Sequence, residues 1–405
     1  MRPRAVVVLA GGSSRRFGRD KLTAGTGPGP QGPTLLDLVL RELPADAEVV
    51  VVGPERPVAR AVRFAREQPP GGGPVAGLVA GLRALGTGAA GGQAGGWVGV
   101  LPGDAPAAAT ALPALGQALA LAGREGAVAA VAVDPSGVLQ PLQLALAPEG
   151  VRRLLAAAGS GAGSAARPLV LSLDPVRVQV PARAAWDVDT PEQLRIWQLS
   201  TGPAVDSVLR ALAELTVGGG PAVLALDGPS GAGKTALATA LALRTGASVL
   251  EGDDFYSPLL GSQTLAHASA RPVAELAADG VVDWRRLRLE GLEPLAAGRP
   301  ARYRRYDWSA DDGRLEAGEV VVPAGPLVVV EGVYTARPEL ADLVDLPVRV
   351  HAPAGLRARR VLERDGDSGG WTAVWSAAER HYFTNVRPDG DFALHLDGAA
   401  PLGGS

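Results

Sequence analysis

The sequence contains no cysteine, which excludes disulfide bonds, thiolate metal sites, cysteine nucleophiles and iron–sulfur clusters with cysteine ligands. Aromatic residues are scarce, at 4% of the chain, so Ala, Val and Leu must fill most of the core. No run approaches the roughly 18 to 20 apolar residues that span a bilayer. The formal net charge of −3 is too near balance to indicate a nucleic-acid or membrane surface. We expect a cytoplasmic protein that acts on small molecules.

Apolar strands alternate with helical stretches, a pattern typical of α/β layers with a largely parallel sheet. The predicted strands are 5–9, 48–52, 97–101, 127–133, 139–145, 176–180, 222–227, 247–251, 327–331 and 347–350. The predicted helices are 34–43, 75–85, 110–122, 149–157, 191–199, 205–215, 234–244, 353–363 and 372–382. The pattern breaks near residue 201, so we expect two domains, 1–200 and 222–397. A linker helix and glycine hinge occupy 201–221, and 398–405 is predicted to be a disordered tail.

A glycine-rich loop follows the first predicted strand, with the sequence Leu9-Ala10-Gly11-Gly12-Ser13-Ser14-Arg15-Arg16-Phe17-Gly18-Arg19-Asp20-Lys21. Glycines at this place let the backbone approach a nucleotide without a Cβ in the way. Arg16 and Lys21 supply cations for phosphate oxygens, and Asp20 is placed to orient them. Fixed cations stabilise the pyrophosphate that departs when a triphosphate is cleaved at its α-phosphorus. The loop therefore predicts a nucleotide site.

Two acidic segments supply carboxylates for a metal ion. Asp104 follows the strand 97–101, where a strand ends and a loop begins, the usual place for a ligand in an open sheet. Asp187 and Asp189 form a second acidic pair just before the helix 191–199. An alternative role for Asp187 is to cap that helix.

The order of these segments resembles the molybdenum cofactor guanylyltransferases and the related cytidylyltransferases. Besides the glycine loop, the resemblance rests on four blocks: Gly73-Pro74-Val75-Ala76-Gly77, Gly103-Asp104, Gln140-Pro141-Leu142 and Asp187-Val188-Asp189-Thr190-Pro191-Glu192. It implies that the segment Leu9, Ala10, Gly11 and Gly12 binds the nucleotide. It also implies that Arg16 and Lys21 bind phosphates. Asp104 would be a Mg²⁺ ligand, with Asp189 as the second.

The chemistry implied by this resemblance is attack of a phosphate monoester on the α-phosphorus of a nucleoside triphosphate. Such a nucleophile is already ionised at neutral pH, so no general base is required. The Leu-Ala-Gly-Gly opening favours GTP over CTP, and a pterin phosphate is the acceptor in those families. A sugar phosphate or an alcohol phosphate is the alternative acceptor.

A second, differently built loop follows the strand 222–227. The segment Gly228-Pro229-Ser230-Gly231-Ala232-Gly233-Lys234-Thr235 fits the pattern G-x-x-x-x-G-K-[ST] between a strand and a helix, which is the context of a P-loop. The amides of Gly228, Ser230, Gly231, Ala232 and Gly233 are predicted to cradle phosphates. Lys234 would reach the β- and γ-phosphates of ATP, and Thr235 would ligate Mg²⁺.

Acidic and basic residues later in the chain complete this site. Asp253 and Asp254 end the strand 247–251, and Glu331 lies on the buried strand 327–331. Arg360 and Arg364 lie on the helix 353–363 and directly after it. Alone, these arginines would indicate a solvated helix face. Beside a P-loop they are predicted to clamp the transferred phosphoryl group.

These elements resemble the uridine kinase and phosphoribulokinase family of small-molecule kinases. The resemblance implies that Asp253, in the position of a D-x-F-Y aspartate, takes the proton of the acceptor hydroxyl. It also implies that Glu331 is a carboxylate near the metal. Arg360 and Arg364 match lid arginines.

Two departures from the kinase pattern concern the acceptor. The histidine expected after Tyr306-Asp307-Trp308 is missing, and the sequence after Asp365 lacks further lid arginines, so uridine is not indicated. Tyr303, Tyr306 and Trp308 either stack on an acceptor ring or close the core near the sheet edge. We expect no metal at His267, His351 or His395, whose spacing does not match a ligand set.

The sequence thus predicts two α/β domains: a Rossmann-like mixed-sheet nucleotidyltransferase domain and a P-loop kinase domain with a parallel sheet. Mg²⁺ is the expected cofactor of both sites, with GTP (or CTP) and ATP as substrates. The alternative is a transferase whose C-terminal domain only binds ATP, as a regulatory module.

Overall fold

The structure is a computed structural model that describes residues 2–12, 16–26, 32–86, 96–215, 219–257, 265–310, 312–366 and 370–399. The chain divides into two compact units, Met1–Arg195 and Ile196–Ser405. Among the described residues, no helix has the length and apolar character that a membrane crossing requires. The cytoplasmic location stays a prediction.

The first unit is built on a mixed sheet with the strand order β3-β2-β1-β4-β6-β5-β7. Strand β6 runs antiparallel to its neighbours β4 and β5, and the remaining pairs are parallel. The strands are β1 (Ala5–Leu9), β2 (Glu48–Val52), β3 (Arg63–Ala65), β4 (Val98–Pro102), β5 (Ala129–Val133), β6 (Leu139–Leu146) and β7 (Val176–Gln179). This confirms the predicted mixed sheet.

Helices cover both faces of this sheet. They are α1 (Leu35–Arg41), α2 (Pro74–Ala84), α3 (Leu112–Ala122), α4 (Pro148–Ala158), α5 (Ala166–Leu171) and α6 (Pro191–Ser200). Because successive strand residues point to opposite faces, Val6 packs with Leu36 of α1, whereas Val7 packs with Leu78 of α2. Burial on both faces explains why β1 is a continuous apolar run.

The second unit contains a parallel sheet with the order β14-β13-β8-β12-β9, beside a small antiparallel pair, β10 and β11. The strands are β8 (Ala222–Asp227), β9 (Ser248–Glu251), β10 (Ala301–Tyr303), β11 (Val320–Val322), β12 (Leu327–Gly332), β13 (Leu346–His351) and β14 (Leu394–Asp397). The predicted parallel sheet is confirmed. Strand β14 and the β10–β11 pair had not been predicted.

Eight α-helical segments of the described chain accompany this sheet. They are α7 (Pro203–Ala213), α8 (Lys234–Thr245), α9 (Leu265–Ala270), α10 (Val273–Glu275), α11 (Trp284–Arg286), α12 (Glu293–Ala296), α13 (Ala354–Asp365) and α14 (Trp371–His381). Helices α9 to α12 had not been predicted. Helix α7, expected in the linker, packs on β14 and α8, and its Val205 and Val208 are fully buried. It therefore belongs to the second unit.

The predicted disordered tail, 398–405, is corrected at its first residue, Gly398. Its N–H donates to the carbonyl oxygen of His351 at 2.7 Å, and its own oxygen accepts from Arg360. This residue therefore continues the second unit past β14. Residues 400–405 of the predicted tail lie outside the described residues.

Candidate active sites

The glycine loop of the first unit lies at the carboxyl end of its central strands. Ala10 N–H donates to the oxygen of Val52 at 2.8 Å, and Gly103 N–H donates to the oxygen of Leu9 at 2.8 Å. Gly53 has φ +151°, and a Cβ there would lie 2.5 Å from the oxygen of Ala10, so a side chain at this position is excluded. These contacts fix the base of the loop. Residues 13–15 of the predicted motif lie outside the described residues.

Lys21 joins two carboxylates from distant segments. Its Nζ lies 2.6 Å from Oδ2 of Asp104, which follows β4, and 2.5 Å from Oδ1 of Asp189, which precedes α6. Burial by itself would lower the pKa of Lys21, but the charges and hydrogen bonds of the two carboxylates outweigh it and raise that pKa. The ammonium therefore stays charged. Arg16, in contrast, is exposed to solvent.

Asp187 adds a third carboxyl group to this cluster. Its pKa is raised to about 7, first because protein atoms desolvate the carboxyl and then because Asp104 and Asp189 are negative, while Lys21 opposes the shift. The residue as a whole is exposed to solvent. Thr190 is the residue whose hydroxyl caps α6, since it accepts from the Gln193 N–H at 3.2 Å.

Asp20 has a different partner from the expected ones. Its Oδ2 accepts from Nε of Arg56 at 2.7 Å, and its Oδ1 accepts from the N–H of Leu22 at 3.1 Å. Arg56 also donates to the oxygen of Ala10 at 2.9 Å. We had expected Asp20 to orient Arg16 and Lys21. In the structure Asp20 instead pairs with the buried side chain of Arg56, which connects it to the glycine loop. No motif marks Arg56 in the sequence.

Glu67 is a second residue that sequence reasoning missed. Its Oε1 accepts from the N–H of Gly71 at 3.0 Å, and it lies 3.9 Å from the place that a Cβ on Gly11 would occupy. Its Oε2 is buried and has no hydrogen-bond partner. A buried acceptor of this kind costs free energy unless something donates to it. The carboxylate therefore lies beside the glycine loop with one buried oxygen that has no donor.

The donor set around Lys21 fits a magnesium ion. Two carboxylates, of Asp104 and Asp189, converge on one cationic group, and a bound Mg²⁺ usually takes one or two carboxylates together with phosphate and water oxygens. Among the described residues, no group of three or more His, Cys, Asp or Glu side chains has the arrangement of a metal site. Asp104 and Asp189 would therefore be the residues that hold a Mg²⁺ ion, which would supply positive charge to a polyphosphate.

The P-loop of the second unit has the geometry that its motif predicts. Strand β8 leads into residues 228–233, and α8 begins at Lys234, whose buried Nζ lies 3.3 Å from the oxygen of Pro229. Gly231 has φ +76°, and a Cβ there would lie 2.6 Å from the oxygen of Arg357. The loop is therefore packed closely against the start of α13. Gly228 and the buried Ala232 lie in the same loop.

Thr235 and Glu331 meet at the phosphate end of β12. The Thr235 hydroxyl donates to Oε1 of Glu331 at 2.8 Å. Burial raises the pKa of Glu331 to about 7, and the negative charge of Asp253 adds to the shift, whereas Lys234 opposes it. A hydroxyl and a carboxylate side by side fit the protein share of a Mg²⁺ shell, and the assignment of these two residues as metal ligands stays a prediction.

Asp253 and Asp254 follow one another but have separate surroundings. Asp254 is buried and accepts from the Tyr303 hydroxyl at 2.8 Å and from Arg305 Nε at 3.1 Å. Asp253 lines a cavity, and its pKa is raised, first by desolvation, although the positive charge of Lys234 opposes this. Asp253 therefore faces the cavity beside the P-loop, and Asp254 holds neighbouring segments together.

The two predicted lid arginines are engaged within the protein. Arg360 donates to the carbonyl oxygens of Gly231, at 3.0 Å, and Gly398, at 3.2 Å, so it braces the P-loop where we had expected a phosphoryl clamp. Arg364 forms a bidentate pair with Asp365, with both distances 2.7 Å. It still lines the same cavity as Asp253.

Glu379 of α14 is a third residue that sequence reasoning missed. Its Oε1 accepts from the Ser230 hydroxyl at 2.6 Å and from the Ser230 N–H at 3.2 Å. Ser230 was predicted to bind nucleotide through its amide. In the structure that amide holds α14 against the P-loop.

Comparison with known families agrees with the first of the two resemblances. Residues 6–176 match the family model of the MobA-like NTP transferase domain. The N-terminal half is therefore similar to this family, in agreement with the resemblance of its motifs. Comparison of the whole chain with curated proteins finds no match.

Solved structures resemble each half separately. A possible uridine kinase from Bacillus stearothermophilus is 20% identical, with 48% of this chain and 97% of that chain covered and a TM-score of 0.37. Molybdopterin-guanine dinucleotide biosynthesis protein A from Archaeoglobus fulgidus is 20% identical, with 47% and 95% covered and a TM-score of 0.33. D-glycerate 3-kinase from Cryptococcus neoformans var. grubii is 15% identical, with 46% and 84% covered and a TM-score of 0.30.

Proposed function

We propose that the N-terminal domain transfers a nucleoside monophosphate from a nucleoside triphosphate to a phosphorylated acceptor. The observation that supports this most is Lys21, whose Nζ is held between Asp104 and Asp189. A cation and two carboxylates beside a glycine loop provide what a triphosphate with Mg²⁺ needs: one group for phosphate oxygens and two for the metal.

In the proposed reaction a phosphate oxygen of the acceptor attacks the α-phosphorus, and the bond from that phosphorus to the bridging β-phosphate oxygen breaks. Pyrophosphate leaves with the electron pair. The attacking phosphate is already ionised, so no residue has to remove a proton. Lys21 and Arg16 would stabilise the departing charge, and Mg²⁺, held by Asp104 and Asp189, would supply further positive charge.

GTP is the proposed nucleotide, with a pterin phosphate as the proposed acceptor. The acceptor follows from the family resemblance. The base preference has support from Glu67, whose buried Oε2 is without a partner. The edge of guanine presents two neighbouring N–H donors to a carboxylate, whereas cytosine presents one donor beside an acceptor.

Pyrophosphate release measures this activity directly. With Mg²⁺ and a pterin phosphate, we expect release from GTP to exceed release from CTP, and Glu67→Gln to reduce the difference. If pyrophosphate is released with a sugar phosphate or an alcohol phosphate but not with the pterin phosphate, that compound is the acceptor and the pterin assignment is wrong. Absence of release with every triphosphate and acceptor would contradict the transferase assignment.

For the C-terminal domain we propose ATP-dependent phosphoryl transfer to a hydroxyl group. The supporting observation is that Lys234, Thr235 and Glu331 lie together at a P-loop while Asp253 faces the same site. Asp253 would accept the hydroxyl proton as that oxygen attacks the γ-phosphorus, and ADP would leave. Thr235 and Glu331 would hold Mg²⁺, which neutralises phosphate charge.

The alternative is that this domain is a regulatory module that binds ATP without transferring phosphate. The engagement of Arg360 by carbonyl groups and of Arg364 by Asp365 favours it. ADP formation across a panel of hydroxyl compounds distinguishes the two functions. ATP binding without acceptor-dependent turnover would support the module, and acceptor-dependent ADP would support the kinase.

A further inference from the structure

A large cavity adjoins the P-loop within the second unit. Its volume is about 1120 Å³, slightly above the usual range of about 300 to 1,000 Å³ for small-molecule sites. Ser230 of the P-loop and Asp253 line one part, and helices α13 and α14 line another. The cavity therefore extends from the place where phosphoryl transfer is proposed to a second wall formed by α14.

Aromatic rings form a continuous strip along this cavity. The ring centroid of Trp308 lies 4.5 Å from that of Tyr256, which lies 6.5 Å from that of Trp375. Trp375 in turn lies 6.0 Å from Trp371, with the two indoles nearly parallel at 26°. Tyr306 packs against the first end of the strip, 4.9 Å from Trp308. Because Tyr256 is inclined at 63° to Trp308 and at 79° to Trp375, the rings present separate faces, and each indole face spans two fused rings.

This concentration of rings is unusual for the chain. The sequence has only seven tryptophans, and three of them, Trp308, Trp371 and Trp375, line the cavity. Trp308 remains 54% exposed although its indole is among the largest apolar groups of the protein. The Nε1 of Trp375 is buried without a hydrogen-bond partner. A ring surface with an unused donor is suited to a planar ligand that also carries acceptor atoms.

The arrangement on α14 explains how one helix supplies this wall. Trp371, Trp375 and Glu379 recur at intervals of four residues, so they lie on one face of the helix. The same face carries the Glu379 carboxylate that binds Ser230 of the P-loop. The aromatic wall is therefore attached to the phosphate-binding loop through Glu379 and does not form a separate surface pocket.

We propose that this cavity is the acceptor site of the C-terminal domain and that it selects an alcohol attached to an extended planar heteroaromatic system, of at least two fused rings. The ring system stacks on an indole face of the strip, that of Trp308 or Trp375, and the hydroxyl reaches Asp253. The inference rests on the proposed kinase function. Stacking favours such a compound over a ring-free polyol, whose hydroxyl groups would lose water without replacement partners.

The test compares three alcohols by calorimetric titration of the full chain loaded with ADP and Mg²⁺. The probes are 6-hydroxymethylpterin, with two fused rings, uridine, with one ring, and D-glycerate, with none. We expect 6-hydroxymethylpterin to bind at least about tenfold more tightly than the others, since stacking on each additional ring surface contributes about that factor. Equal or tighter binding of uridine or D-glycerate would overturn the proposal.

Ring variants test whether the strip causes this selectivity. Trp375→Leu and Trp308→Leu should each weaken 6-hydroxymethylpterin about tenfold and leave ADP binding unchanged. Trp308 is exposed, so its variant is expected to fold even if the Trp375 variant does not. Trp284→Leu, outside the cavity, is the matched control. Unchanged pterin binding in the cavity variants would overturn the proposal.

Binding and turnover separate this proposal from the kinase assignment. A chain that binds 6-hydroxymethylpterin through the tryptophans but makes no ADP from ATP would support the cavity as a ring-binding site and contradict phosphoryl transfer. A chain that phosphorylates D-glycerate more efficiently than any ring-bearing alcohol would support the kinase and contradict the ring selectivity.

Discussion

The two proposed phosphate sites differ in how their parts are distributed along the chain. Lys234 and Thr235 are neighbours in one loop, whereas Lys21 and Asp189 are 168 residues apart and still share a hydrogen bond. A P-loop is a local structure, since one strand, one turn and one helix determine it. The N-terminal site exists only once a whole mixed sheet has brought three segments together.

The electrostatics of the two sites differ as well. In the first, two carboxylates already neutralise the lysine. In the second, Lys234 lies near a backbone oxygen, and the carboxyl groups around it hold raised pKa values. The first site is an ion-pair cluster, whereas the second is an acid cluster that joins the buried carboxyl of Glu331 to Asp253 on the cavity wall. The predictions below test that contrast.

The largest effect is expected at Asp253. Asp253→Asn removes the proposed base, so acceptor-dependent ADP formation should fall about 10³-fold while ATP binding is retained. The raised pKa of Asp253 also predicts that wild-type turnover increases with pH until this carboxyl is ionised. Steady-state rates and calorimetric titration with ATP measure the two parts.

Asp254→Asn is the matched comparison for Asp253. Asp254 binds Tyr303 and Arg305, so its substitution should lower the melting temperature and change turnover much less. Equal losses of turnover in the two variants, at equal stability, would remove the distinction between a base and a structural carboxylate.

Asp104→Asn tests the ion-pair cluster of the first unit. Loss of one carboxylate should reduce pyrophosphate release about 10²-fold and raise the Mg²⁺ concentration that gives half-maximal rate. Asp46→Asn, at an exposed turn of the same unit, is the control and should leave the rate unchanged. An unaltered Mg²⁺ dependence in Asp104→Asn would count against a metal at this place.

Glu331 tests the acid cluster through stability. Its pKa rises from 4.5 to about 7 on folding, so the folded state binds the proton more tightly, and this group costs stability progressively as pH increases from about 4.5 to about 7. Glu331→Gln should therefore match the wild type near pH 4.5 and exceed it by about 3 kcal/mol above pH 8. Calorimetric melting of both proteins across this range measures the difference; a pH-independent difference would contradict the buried-acid description.

The smallest effect is expected at Asp187. Because its pKa is about 7, the wild-type cluster gains a negative charge between pH 6 and 8. Asp187→Asn should remove that step from the pH profile of pyrophosphate release and change the rate at pH 7 by less than about fivefold. A profile that keeps its step would place the titrating group elsewhere.

The sequence predicted the P-loop better than the N-terminal site, because a P-loop is formed by neighbouring residues whereas the N-terminal site joins residues that are far apart in the chain. The buried strands β1 and β8 and the P-loop follow from local apolar runs and a short motif. Lys21, Asp104 and Asp189 were each identified, but their meeting point depends on the sheet. The true partner of Asp20 was not identified, because Arg56 lies in a loop without a motif and acts through a contact 36 residues away.

Helix α14 illustrates the same limit in the second unit. Its boundaries were predicted within one residue, yet its function was not, because the contact from Glu379 to Ser230 spans 149 residues. The four-residue spacing of Trp371, Trp375 and Glu379 was visible in the sequence. It defines a helix face, but only the fold shows that this face meets the P-loop.

Calorimetric titration of GTP and ATP into the full chain and into two lysine variants tests the central claim most directly. We predict that Lys21→Ala abolishes the GTP site and leaves the ATP site intact, and that Lys234→Ala does the reverse. Two independent polyphosphate sites require both results. Loss of both sites from one substitution, or retention of both in either variant, would contradict the account.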